Sequence, residues 1–167
     1  MTIYGVDPGK DGVVCAIHPI GGVRFHKLIW EDNYLDFEAL QNFLDVTRVF
    51  GPSDKHAAFL ERPLMASLNR STQSIVNTGI CYGRLSAVFE HAGIPVRELS
   101  PQEWQKTLGL KFAKGESKQA VEAWVLNTFK GQTSFHKPFT TKAKNLGARD
   151  ALGIAMAGKK LLEAEDE

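Results

Sequence analysis

The chain has 167 residues, 43% of them hydrophobic and 23% charged, with a formal net charge of +1. That length and apolar content suit one compact domain with an adequate core, and they exclude a disordered or fibrous chain. The near-neutral balance excludes a nucleic-acid reading based on bulk charge, so any such surface has to be local.

Cys15 and Cys81 sit in apolar surroundings without metal-ligand spacing, which predicts free thiols in a reducing compartment rather than a disulfide or a zinc site. No apolar run approaches the roughly 20 residues needed to cross a bilayer, and no signal-peptide pattern is seen. The expected setting is a cytoplasm or an organelle nucleoid, without a membrane role.

Thr2 to Val6 alternates into Asp7-Pro8-Gly9, and Gly12 to Ile17 and Val23 to Ile29 follow across Gly21-Gly22, a pattern that predicts an antiparallel meander of three strands. From Leu35 to about Phe50, apolar residues recur near helical spacing until Gly51-Pro52. His56 to Leu60 is a short apolar strand ending in Glu61-Arg62-Pro63. Pro63 lacks a backbone donor, so Glu61 is expected at the strand's end with its carboxylate at a rim. Ile75, Ile80, Leu85, Val88 and Phe89 predict a long helix from Ser71 to about His91, and Gly93-Ile94-Pro95-Val96 starts a new strand.

Ser100-Pro101-Gln102-Glu103 is a capping box with proline at the first helical position, so a short helix carrying Trp104 begins there. Ser117 to Phe129 reads as an amphipathic helix, Thr133 to Asn145 is polar and basic, and Gly147 to Leu162 is an alanine-rich helix. The sum is an α/β fold of RNase H-like element order, a five-stranded mixed sheet flanked by helices. Residues 1–162 are expected to form one domain, and 163–167 an acidic tail.

Three acids stand out. Asp7 ends the first strand where the backbone turns away at Pro8-Gly9, although an Asp before Pro-Gly is also an ordinary turn former. Glu61 terminates an apolar strand and so needs a cation; Arg62 or another surface base would serve as well as a metal. Asp150 lies among the small residues of Gly147 to Ala155, sharing a face with Leu146 and Ile154; a functionless acid near a helix N-terminus is the plain alternative. If the first and central strands are neighbours and the last helix crosses them, the three carboxylates converge. Like charges held together repel unless divalent cations sit between them. Two hard ions roughly 4 Å apart would then serve an in-line phosphodiester displacement.

Gly5-Val6-Asp7-Pro8-Gly9, Phe59-Leu60-Glu61-Arg62-Pro63 and Ala148-Arg149-Asp150-Ala151-Leu152-Gly153-Ile154-Ala155 resemble the three acidic motifs of RuvC-type Holliday junction resolvases. Ser71-Thr72-Gln73-Ser74, Gly79, Gly83, Gly93 to Val96 and Ser100-Pro101 to Trp104 resemble the phage and chloroplast branch, so the likeness runs from Ile3 to about Lys160. The resemblance implies a homodimeric endodeoxyribonuclease with one active site per subunit and two magnesium or manganese ions per site. It also implies symmetric cutting of two opposing strands of a four-way DNA junction, as suits an isologous dimer on a two-fold substrate. Asp7, Glu61 and Asp150 are then the catalytic metal ligands.

One departure stands out: such enzymes usually carry a fourth acid or a histidine three or four residues before the last aspartate, where this chain has Gly147 and Leu146. Asn145 is the nearest substitute, a weaker ligand for a hard cation than an acid. If it stands at the site, Asn145→Asp is expected to raise cleavage.

Lys106, Lys111, Lys114, Lys118, Lys137, Lys142 and Lys144 cluster before the last helix with Phe112, Phe135, His136 and Phe139 interleaved. They suit a phosphate-binding rim, though a solvated basic face has the same composition. From the resemblance, Leu64 or Met65 is a candidate wedge between bases, and Gln73 a candidate base reader. Gly79 and Gly83 permit close approach of a second helix or of DNA. Three rivals stay open: an RNase H-like nuclease for flaps, hybrids or other branched intermediates; a junction-binding protein with weakened catalysis; and an actin-like kinase, which needs two related lobes and more chain than this.

Overall fold

The computed structural model describes residues 1–9, 11–19, 22–31, 34–49, 55–63, 71–113, 115–129 and 146–167. In chain order it contains β1 (Thr2–Asp7), β2 (Val13–Ile17), β3 (Val23–Lys27), β4 (Trp30–Glu31), β5 (Tyr34–Leu35), α1 (Phe37–Val49) and β6 (His56–Glu61). These are followed by α2 (Thr72–His91), β7 (Val96–Leu99), α3 (Pro101–Thr107), α4 (Ser117–Thr128) and α5 (Leu146–Glu165).

Five strands form one sheet in the order β3-β2-β1-β6-β7. The β1–β2 and β2–β3 pairs are antiparallel, as short turns require, and the β1–β6 and β6–β7 pairs are parallel, each reached through a helical crossover. This is the mixed α/β sheet expected from the sequence. All five residues of β2 and the first five of β1 are buried, because helices cover both faces.

Side chains alternate across the sheet, and the two faces build separate cores. On one, Tyr4, Val6, Ala58 and Leu60 pack with Leu40 and Leu44 of α1 and with Leu85 and Phe89 of α2. On the other, Ile3, Cys15, Ala57 and Phe59 pack with Trp104 of α3, Val121 and Val125 of α4, and Leu152, Ile154 and Ala155 of α5. Each fully buried side chain of this size contributes roughly 1.5–3 kcal/mol.

The small residues of α5 account for its position. A Cβ on Gly5 would strike the Ala151 carbonyl and the Ala155 amide, so this strand and helix meet backbone to backbone. A Cβ on Gly153 would lie 2.8 Å from Cζ3 of Trp104. Arg149, buried at 4% exposure, reaches Glu122 at 3.0 Å and ties α5 to α4.

Three boundaries differ from the sequence reading. Leu35 belongs to β5, not to the first helix: the Asp36 amide donates to the Ile29 carbonyl, and the Asp36 carboxylate caps α1 by accepting from the Ala39 amide at 2.9 Å. The third strand stops at Lys27, and Trp30–Glu31 pairs with Tyr34–Leu35 in a small separate hairpin. The last helix runs three residues into the stretch read as a tail, and Glu165 pairs with Arg97 of β7 at 2.6 Å. Both cysteines are free, Cys15 buried and Cys81 half-buried. Among the described residues, no helix is long and apolar enough to cross a membrane.

Candidate active site

The parallel register of β1 and β6 runs from Thr2 opposite His56 to Val6 opposite Leu60. Carried one residue further, it sets Asp7 beside Glu61 at the carboxyl ends of two adjacent parallel strands, where ligands of open α/β sheets bind. Alternation turns both side chains to the face that carries Ile3, Phe59 and α5. Asp150 arrives there in the first turns of α5. A Cβ on Gly147, one turn earlier, would lie 3.1 Å from Oδ2 of Asp7 and 2.8 Å from the Asp11 carbonyl. Glycine is what lets the helix start against the Asp7 loop.

That loop is internally bonded. The Gly9 amide donates to Oδ1 of Asp7 at 3.2 Å, the Gly12 amide to the Gly9 carbonyl at 2.8 Å, and the Leu28 amide to the Gly12 carbonyl at 2.9 Å. Oδ1 of Asp7 thus serves the turn, the role of an ordinary turn-forming Asp, while Oδ2 lies toward Gly147 of α5.

Glu61 is fixed by a residue from far along the chain. Trp104 Nε1 donates to Oε2 of Glu61 at 2.8 Å, and the indole ring is 1% exposed. Trp104 is presented by α3, whose capping box is complete: Ser100 accepts from the Glu103 amide at 3.2 Å, and Glu103 accepts from the Ser100 amide at 2.6 Å. Arg62 was the plain alternative partner for Glu61. It instead contacts Glu103 at 3.4 Å, on the exposed side of that cap.

All three carboxyls are half-buried, and all are pushed toward the neutral form. Burial raises Asp7 above the ordinary range; the Gly9 amide and Lys118 draw it down, and Asp11 adds a further upward push. Burial also raises Glu61, against the Trp104 hydrogen bond, and the Asp7 charge raises it further. Asp150 is pushed up to about 7, first by burial and then by Asp7 and Glu61, with Lys118 and Arg149 opposing. The three acids thus share one electrostatic neighbourhood. Among the described residues, no group of three or more His, Cys, Asp and Glu side chains is set closely enough to hold a metal ion. The acids act on one another electrostatically, but they are not drawn together into a three-ligand group.

The donor chemistry suits hard divalent cations: three carboxylates, no sulfur or imidazole among the described residues that act on them, and a local field that penalises each negative charge. Lys118, exposed on the first turn of α4, contributes positive potential to both Asp7 and Asp150.

Of the other expected contacts, Lys111 and Gln73 lie among the described residues. Lys111 is exposed after α3. Gln73 is exposed on the first turn of α2 and donates to Oδ1 of Asn77 at 2.8 Å. A Cβ on Gly83 would meet nothing, so that helix face is open. Asn145, Leu64, Met65, Lys114, Lys142 and Lys144 lie outside the described residues. The sequence places Trp104 on a short capped helix and within the Ser100-Pro101 to Trp104 resemblance without linking it to Glu61; the contact spans 43 residues.

No protein-family model and no curated protein matches the sequence. Solved structures do match. RuvC of Thermus thermophilus in complex with Holliday junction substrate superposes with a TM-score of 0.59 at 17% identity, covering 98% of this chain and 96% of that one. A second Thermus thermophilus RuvC structure gives a TM-score of 0.58 at 18% identity, covering 99% of this chain and 97% of that one. The chain therefore has the RNase H-like fold of RuvC over nearly its whole length.

Proposed function

We propose that this chain is a metal-dependent endodeoxyribonuclease that resolves four-way DNA junctions as a homodimer. The observation that carries this reading is the electrostatic coupling of three half-buried carboxylates, Asp7, Glu61 and Asp150, in a chain with the fold of RuvC. Each is disfavoured as an anion by its surroundings, which is the arrangement a divalent cation relieves. The matching RuvC is described with a Holliday junction substrate, which makes branched DNA the first substrate to test.

Asp7, Glu61 and Asp150 would hold two magnesium or manganese ions. When bound, such a pair activates a water and neutralises charge on the leaving oxygen of a phosphodiester. The chain's own groups do the rest. Trp104 keeps Oε2 of Glu61 in place, so the carboxylate loses little orientational freedom on engaging an ion. The Gly9 amide holds Oδ1 of Asp7 and leaves Oδ2 toward the mouth of α5. Lys118 places a cation beside the acids, where the phosphate of an incoming strand gains from it. A two-fold dimer would present two such sites to the two equivalent strands of a junction.

The test is cleavage of a synthetic four-way junction in magnesium or manganese, with flap and RNA–DNA hybrid substrates alongside. Paired symmetric nicks in the junction, lost in Asp7→Asn, are expected. Preference for the flap or hybrid would replace the junction reading with another RNase H-like nuclease. Tight junction binding without nicks in manganese would leave a binding protein.

A further inference from the structure

A hollow of about 520 Å³ lies between α3 and the start of α4, against the side of α3 that carries Gln102, Gln105 and Lys106 rather than the buried Trp104. Its walls include Gln102, Gln105, Lys106, Lys111, Phe112 and Ser117. Both helices are joined along the chain to residues near the acids. The chain enters α3 from Leu99, which pairs with Glu61 across β6 and β7. It enters α4 at Ser117, one residue before Lys118, whose charge acts on Asp7 and Asp150.

The lining is unusual in its mixture. Phe112 leaves 40% of its surface exposed, although Trp104 of α3 and Leu108 just after it are buried in the core a few residues earlier. Lys106 and Lys111 are exposed beside it, two cations without a carboxylate among the described residues of the hollow. Gln102 and Gln105 add side-chain amides, each with two donors and an acceptor. An open aromatic face, paired amides and flanking cations are what an unstacked base on a phosphodiester strand needs: a ring to stack on, groups to meet its edge and charges for its phosphates. The volume admits a base with room to spare, and a branch point is where leaving the stack costs least.

We infer that this hollow takes an unstacked nucleobase of a DNA strand, with Phe112 as the stacking platform. The inference rests on the DNA reading above, but its test does not require cleavage. Binding is measured for two labelled single strands of equal length, one carrying bases and one abasic, against the wild-type chain, Phe112→Ala, Phe112→Trp and the Lys106→Ala/Lys111→Ala pair.

The wild type is expected to prefer the base-bearing strand. Phe112→Ala should lose about fivefold or more on that strand and little on the abasic one, and Phe112→Trp should restore the preference. The lysine pair should weaken both strands and flatten the salt dependence. Equal affinity of the wild type for the two strands, or a Phe112→Ala variant that binds both as the wild type does, overturns the inference. A four-way junction titrated in the same series separates the two claims. Strand binding as expected without junction binding or nicking defeats the junction reading alone, whereas junction nicking with Phe112→Ala unchanged on both strands defeats the hollow alone.

Discussion

Trp104 Nε1 stands 2.8 Å from Oε2 of Glu61, so a buried indole from α3 sets the direction of a carboxylate at the end of β6. The same ring packs against Gly153 of α5, three residues after Asp150, and so also touches the helix that carries a second of the three acids. A hydrogen bond to a charged group is worth about 1.5–3 kcal/mol, and partners that orient metal ligands typically change affinity 10–100-fold. Trp104→Phe keeps most of the packing and removes the donor. We expect manganese affinity, measured by calorimetry, to fall roughly tenfold. Wild-type affinity in that variant would remove the orienting role.

The pH dependence of stability follows from the direction of the three shifts. Each acid has a folded pKa above its unfolded value, so between about pH 4 and the folded value near 7 of Asp150 the native state binds more protons than the unfolded state. Stability from these groups is present at low pH and is lost as pH rises through that window. In chelator, urea unfolding should show the chain less stable at pH 8 than at pH 5 by on the order of a few kcal/mol from this cluster. Asp150→Asn should flatten that slope and abolish stabilisation by added manganese.

Lys118 opposes the charges of both Asp7 and Asp150. Lys118→Met should therefore raise both acids further, moving the rising limb of any pH–cleavage profile to higher pH. It should also lower the magnitude of the salt slope of DNA binding by about one if the lysine contacts phosphate. An unmoved profile would place Lys118 outside the working field of the site.

Two glycines should respond in opposite directions. Gly5→Ala drives a methyl into the backbone of α5 at Ala151 and Ala155 and should cost at least about 1–3 kcal/mol, read by denaturant unfolding. Gly83→Ala adds a methyl into open space within a helix and should stabilise the isolated chain by about 0.5–1 kcal/mol. Loss of junction affinity in Gly83→Ala, with stability raised, would mark that open face as a contact for DNA or a second subunit.

Much of the architecture was legible because local signals were strong. The Ser100–Glu103 capping box, the meander separated by glycine turns and the small-residue helix around Asp150 each dictate one local solution. Asp7 and Glu61 were legible as strand-end acids, since charge at the end of an apolar run has nowhere else to go. The β4–β5 hairpin was not, because two residues per strand carry no periodicity, and Leu35 fits either a helix or a strand anchor. Nor was the extension of α5 to Glu165: an acidic run at a chain end looks solvated until Arg97 is seen opposite it. The Trp104–Glu61 bond was hidden for a different reason. It depends on how α3 packs on the sheet, which no local pattern records.

The most direct measurement is anomalous scattering from crystals grown with manganese. The account predicts manganese peaks bounded by the carboxylates of Asp7, Glu61 and Asp150, with Glu61 still accepting from Trp104. Manganese bound elsewhere while these three carboxylates keep their distance would contradict it.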